Sequence, residues 1–257
     1  MEKLNLGAQL YTLREYTSTP KLFHHAVDRV AEMGYKYIQF SGENVEFEDY
    51  ISAMKRTGLK CGLTHWDDND IINDTSRVIE LHDELGCDGI GVGGMPGPFR
   101  SYDGYARFVE RYGKAVEEIG KAGKVFCYHN HWFEFERYSN GKTGMDMLLE
   151  STDPKAFKLT LDTAWAHRGG IDCADFIHRH HDRIYALHLK DYMIVNNEIT
   201  LTEVLDGNMN FDSIIAACKE YGIKWLFVEQ DFVRINAFDS LKKSYDNVMG
   251  KFSDVLQ

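Results

Sequence analysis

Apolar residues recur along this chain in two alternating rhythms. Short runs rich in β-branched and aromatic residues alternate with longer stretches in which apolar residues return every three or four positions. The short runs predict strands, and the longer stretches predict helices packed by one face. The first strand is expected over 4–10. Thr19-Pro20 then opens a helix in which Leu22, Phe23, Ala26, Val27, Val30, Ala31 and Met33 share a face. Thr19 is a capping residue, Pro20 suits the first helical turn, and Gly34 is a stop. The same unit returns down the chain. Strands are expected at 37–40, 59–63, 89–92, from 125, and at 157–161, 184–187 and 225–228. Helices are expected near 46–57, 73–85, 102–121, 143–151, 171–181 and 211–221, with a last one over 237–252. Gly58, Gly86, Gly123 and Gly222 punctuate the helix-to-strand passages.

Strands that alternate with helices are parallel. Eight such units at intervals of roughly 25–40 residues predict a single (β/α)8 barrel, an α/β fold, over residues 1–257. An open doubly wound sheet is the competitor. It gathers ligand groups at one switch point, whereas here nearly every strand ends in polar residues. No linker or low-complexity segment marks a domain boundary.

Composition narrows the function classes. The formal net charge of -11 excludes a basic nucleic-acid surface. No run of about 18 apolar residues predicts a membrane span. The first seven residues, from Met1 to Gly7, lack the apolar core of a signal peptide, so a cytoplasmic location is expected. The five cysteines, Cys61, Cys87, Cys127, Cys173 and Cys218, are odd in number and widely spaced. Buried free thiols in a reducing compartment are the expectation.

The candidate chemistry sits at the strand tips. The run from Val125 leads into His129-Asn130-His131-Trp132-Phe133-Glu134. Other strands end at Asp162, at His188 with Lys190 and Asp191, and at Glu229 with Gln230 and Asp231. In a barrel all tips face one mouth, so these distant residues meet. An isolated carboxylate after a strand is usually a cap or a surface group. Three such tips in consecutive units favour a site. Imidazole and carboxylate donors suit Mn, Mg, Co, Zn or Fe as a divalent ion. Lys190 either serves the site or forms a structural ion pair with Asp191 or Asp162. His65 and Trp66 follow the third strand, and Trp132 and Trp165 follow the fifth and sixth. With Gln9 and Gln230 these are candidate ligand contacts; packing is the alternative for each. The glycine run 89–94 lacks the helix that a dinucleotide fingerprint requires. His178, His180 and His181 read as a solvated cluster away from the mouth.

The chain resembles the xylose isomerase-like barrels, in particular the sugar phosphate isomerase/epimerase group. The resemblance is carried by Gly7-Ala8-Gln9-Leu10-Tyr11-Thr12-Leu13-Arg14, Tyr128-His129-Asn130-His131 with Phe133-Glu134-Phe135, Leu161-Asp162-Thr163-Ala164-Trp165, His188-Leu189-Lys190-Asp191 and Val228-Glu229-Gln230-Asp231. It implies one divalent metal at four tips, with Asp162, His188 and Glu229 in the last three places. The first place, a glutamate in the family, falls on His129. Either His129 is the fourth ligand, which is preferred, or Glu134 folds back to it, or the metal is lost. The HNHxxE pattern itself resembles a recognised subgroup. The implied reaction removes a proton beside a carbonyl of a small sugar or keto-sugar. In it Glu229 is a base, Glu134 or His131 acts on the opposite face, Lys190 neutralises an enolate, and Gln9, His65, Trp66, Trp132, Trp165 and Gln230 meet sugar hydroxyls and C–H faces. A lyase or dehydratase acting on a keto-cyclitol or 3-keto-glycoside would share that enolate. A non-catalytic sugar-binding barrel is the alternative from another class, and an abasic-site nuclease is disfavoured by the acidic charge. No phosphate cradle is visible, so an unphosphorylated substrate is expected, and a homo-oligomer is compatible with the resemblance.

Overall fold

The structure is a computed structural model that describes residues 2–257; Met1 lies outside the described residues. In chain order it runs β1 (Asn5–Gln9), α1 (Pro20–Glu32), β2 (Tyr37–Phe40), α2 (Phe47–Thr57), β3 (Lys60–His65), α3 (Asp68–Asn73), α4 (Thr75–Leu85), β4 (Gly89–Val92), α5 (Tyr102–Lys121) and β5 (Val125–His129). It continues with α6 (Gly144–Ser151), β6 (Phe157–Asp162), α7 (Thr163–Arg168), α8 (Cys173–His180), β7 (Ile184–Leu189), β8 (Asp191–Val195), β9 (Glu198–Thr202), α9 (Phe211–Tyr221), β10 (Trp225–Val228) and α10 (Ala237–Phe252).

The expected punctuation is present. Thr19 accepts a hydrogen bond from the Leu22 amide and Pro20 begins α1. Gly58 ends α2 at φ 76, a left-handed conformation that costs a side-chain-bearing residue about 1 kcal/mol or more. Eight strands close into one parallel barrel in the order β1-β10-β7-β6-β5-β4-β3-β2, which is the (β/α)8 fold expected from the repeat.

Side-chain parity then decides what faces where. Successive residues of a strand point to opposite faces. In β5, Phe126 and Tyr128 point out to the helices, where Tyr128 meets Phe108 of α5 edge-on at 5.5 Å. Cys127 points in and joins Leu63, Ala186 and Phe227 in a small plug that fills the barrel. The next inward residue is His129, one layer above that plug. Asp162 pairs in register with His188, and Phe227 of the plug also pairs with His188. The polar tips therefore form one layer on an apolar floor. The glycine run belongs to this packing: a Cβ at Gly89 would lie 2.8 Å from Leu63 and Tyr185, and one at Gly91 2.6 Å from the Thr64 carbonyl.

Several elements depart from expectation. Leu4 bridges Leu256, so β1 begins at Asn5. The helix expected near 73–85 is α4, and a further short helix, α3, precedes it, separated from it by Asp74, which leaves helical geometry at φ -140. α7 was not expected; it starts immediately after Asp162, which caps it. Neither was the antiparallel hairpin of β8 and β9, which stands outside the barrel. Its turn holds Asn196 and Asn197 at φ 50 and 68. An Asn-Asn pair between alternating residues was a legible hairpin signal. All five cysteines are free and buried. Among the described residues no helix is long and apolar enough to cross a membrane.

Candidate metal centre and active site

His129, Asp162, His188 and Glu229 converge at the C-terminal mouth of the barrel. One donor atom from each lies within 4.8 Å of all the others. Asp162 is the hub. Its Oδ1 accepts the Trp165 amide at 2.8 Å as the cap of α7, and its backbone N–H donates to Asn130 Oδ1 at 3.0 Å. Its Oδ2 faces His129 Nε2 at 3.2 Å and His188 Nδ1 at 3.9 Å. Burial would raise the Asp162 pKa, but Lys190 and His129 hold it down at about 2.

Each histidine is oriented from behind. His129 Nδ1–H donates to the Gly93 carbonyl at 3.1 Å, leaving Nε2 toward Asp162. His188 Nε2–H donates to Gln39 Oε1 at 2.8 Å, leaving a buried, unpartnered Nδ1 at 3.6 Å from Glu229 Oε2. Glu229 Oε1 is also buried and has no partner. Burial pushes the Glu229 carboxyl up to about 7 against the pull of Lys190.

Lys190 has no exposed surface. Its ammonium contacts Asp162 Oδ2 at 2.7 Å, Asp231 Oδ2 at 2.6 Å and Glu229 Oε2. The expected alternative partner Asp191 is elsewhere: its carboxylate accepts the backbone N–H groups of Tyr192, Leu205, Gly207 and Met209 and ties the outer hairpin to the next loop. Thr163 carries the hydroxyl that receives the Lys190 amide at 3.0 Å.

Above this layer lies a cavity of about 590 Å³. Gln9, His65, Trp66, His129, His131, His188, Glu229 and Asp231 are among its walls, with Asp67 and Asp68 at the rim. Among the described residues no Lys or Arg lines it. The His65 ring stands 5.4 Å from that of His129 and 5.5 Å from that of His188, and burial keeps it neutral. His131 lies near-parallel to Trp165 and Phe133. Burial, with His129 adding to it, pushes the His131 pKa down to about 3.

Three expectations are corrected. Glu134 neither coordinates at the mouth nor reaches the cavity. It is fully buried between barrel and helices, accepting the Tyr128 hydroxyl at 2.6 Å and the His131 amide at 2.8 Å. Gln230 also turns away: its amide donates to the Phe232 carbonyl and accepts from Ser240. Trp165 is not a cavity wall; its ring lies behind, 4.9 Å from the Lys190 ammonium. The sequence reading also missed residues. Gln39 and the Gly93 carbonyl carried no signal, since each acts through a partner on another strand. Asp231 lies two residues after Glu229 and was legible only as a neighbour. His178 and His181 pack on Tyr221 of α9, outside the cavity, as expected.

Comparison with known proteins agrees with the fold. The family described as xylose isomerase-like TIM barrel matches residues 27–244. A sugar phosphate isomerase/epimerase from Parabacteroides distasonis superposes with a TM-score of 0.79 at 23% identity, over 96% of this chain and 98% of that one. A probable 3-DHS dehydratase from Bacillus anthracis gives 0.72 at 16% identity, over 96% and 99%. These likenesses carry the fold. An inosose dehydratase from Geobacillus kaustophilus is 42% identical over 62 residues, which is 24% of this chain and 20% of the dehydratase.

Proposed function

The chain belongs to the xylose isomerase-like TIM barrel family, and from that premise we propose that it is an enzyme that takes a proton from the carbon beside a keto-sugar carbonyl, as an isomerase or epimerase. The observation that carries this reading is the free, buried Oε1 of Glu229 at the cavity floor beside His129, Asp162 and His188.

The same four residues fit a divalent metal. Ligands at about 2.1 Å from one ion stand about 3–3.5 Å apart. Three of their separations, 3.2, 3.6 and 3.9 Å, approach that spacing and all lie within 4.8 Å, and the His188 Nδ1 lone pair has no other partner. When bound, such an ion supplies Lewis acidity to the substrate's carbonyl and hydroxyl oxygens.

The chain's own groups do the rest. Glu229 Oε1 accepts the carbon-bound proton, and burial keeps its basicity well above that of an exposed carboxylate. Lys190 fixes the other Glu229 oxygen and so holds Oε1 toward the cavity. Gln9, His65 and Trp66 offer hydrogen bonds and an aromatic face to sugar hydroxyls and C–H groups. The protonated Glu229 carboxyl returns the proton to the neighbouring carbon in isomerisation, and in epimerisation the proton for the opposite face comes from water, with neutral His131 at the wall as a hydrogen-bonding group. The all-anionic charge lining the cavity favours an unphosphorylated substrate.

A second reading, elimination of water or an alcohol next to the enolate, draws on one observation. Glu134 has withdrawn from the mouth, and elimination requires only one base. Solvent-deuterium exchange tests both readings. In D2O with added divalent metal, a panel of keto-sugars and keto-cyclitols should include one whose α C–H signal is lost by NMR. Loss that persists with Glu229→Gln would remove the proposed base. The absence of exchange across the panel in the metal-loaded protein would remove both readings.

A further inference from the structure

The two imidazoles of the site face it through different nitrogens, and each is set by a partner on another strand. Gly93 offers a carbonyl, which only accepts, so His129 keeps a proton on Nδ1, and its Nε2, which donates to Asp162 Oδ2 at 3.2 Å, is the nitrogen that an ion would take over. His188 presents Nδ1 because Nε2–H is taken by Gln39. The Gly93 carbonyl is aimed by the turn that follows: Gly94 has φ 139, and a Cβ there would lie 2.7 Å from the His131 ring. The carboxylates are in a different situation. Asp162 Oδ2 and one oxygen of Glu229 are already shared with the Lys190 ammonium. Hard ions such as Mg²⁺ and Mn²⁺ depend on unshared carboxylate and water oxygens, whereas imidazole nitrogen favours borderline ions such as Zn²⁺, Co²⁺ and Fe²⁺.

We infer that this site selects a borderline transition ion over Mn²⁺ and Mg²⁺, with His129 as the selectivity-determining residue and Gln39 and the Gly93–Gly94 turn as positioning groups that hold the two histidines in opposite tautomers. The inference rests on the reading of the cluster as a metal site, not on the identity of the substrate. Outer partners of this kind typically contribute about 10–100-fold to metal affinity.

The test is direct binding of ZnCl2, MnCl2 and MgCl2 to the metal-stripped protein, by calorimetry and chelator competition. Zn²⁺ is expected to bind far more tightly than Mn²⁺, and His129→Glu to narrow the Zn²⁺/Mn²⁺ ratio by about tenfold or more. Gln39→Leu should weaken Zn²⁺ by about 10–100-fold and Gln39→Glu, which keeps an acceptor, should restore it. Long-range ¹⁵N–¹H spectra of the Zn²⁺-loaded protein should show His129 protonated at Nδ1 and His188 at Nε2. These spectra require no variant to fold. Comparable Zn²⁺ and Mn²⁺ affinities, an unchanged ratio in His129→Glu, or the opposite tautomers would overturn the inference. Selective Zn²⁺ binding without deuterium exchange would sustain it while removing the enolisation reading.

Discussion

Tyr128 and Glu134 are joined by a 2.6 Å hydrogen bond that draws the glutamate out of the barrel mouth. Tyr128 is an outward-facing residue of β5, so whatever it holds lies in the layer between barrel and helices. Glu134 also receives the His131 amide, so the loop is anchored with His131 toward the cavity and Glu134 away from it. Glu134→Gln should therefore leave turnover within a few-fold of the wild type. Tyr128→Phe, which leaves a buried carboxyl oxygen without its donor, should lower stability by about 1–3 kcal/mol. Chemical denaturation and kinetics of both variants check this. A hundred-fold loss of turnover in Glu134→Gln with unchanged stability would return Glu134 to the chemistry.

Glu229→Gln keeps the size of the side chain and removes its basicity. Exchange and turnover should fall by about 10²–10⁴-fold, the usual contribution of a positioned base. Substrate binding, measured by calorimetry, should change far less.

Among the described residues Lys190 is the one Lys or Arg paired with the carboxylates of Asp162, Glu229 and Asp231. Lys190→Met leaves buried carboxylates uncompensated, a change that typically costs about 3–5 kcal/mol. Urea unfolding of the metal-stripped variant should show this loss. Added divalent ion should recover more stability in the variant than in the wild type, because it replaces the missing charge. Equal recovery in both would place Lys190 outside the electrostatics of the site.

His82 gives a pH prediction independent of the metal. It is fully buried, donating from Nδ1 to the Val78 carbonyl at 2.7 Å and accepting the Thr64 hydroxyl at 2.8 Å. Burial lowers its pKa to about 4. Between the ordinary histidine value near 6.5 and that value, the unfolded chain binds a proton that the folded chain does not. Stability should therefore fall as pH drops from about 6.5 to 4, by about 3 kcal/mol from this residue, and level off below. Unfolding midpoints of wild type and His82→Gln across that window should converge as pH falls. Parallel curves would show that His82 titrates normally.

The sequence by itself determined the repeat and the mouth. Strand and helix periods are local properties of the backbone, and so are the caps and glycine stops that divide them. Once eight parallel strands close, inward parity places His129, Asp162, His188 and Glu229 in one layer, so their meeting was legible before any coordinates. Tertiary structure decided the identity of each neighbour. Glu134 and Gln230 lie within five residues of site positions, yet contacts to Tyr128 and Ser240 turn them away. Gln39 lies 149 residues from His188 in sequence and sets its tautomer. Lys190 follows the same strand tip as His188 and ends up among three carboxylates. Hydrogen bonds and ion pairs depend on which groups the closed barrel brings within about 3 Å, and no local pattern along the chain encodes that distance.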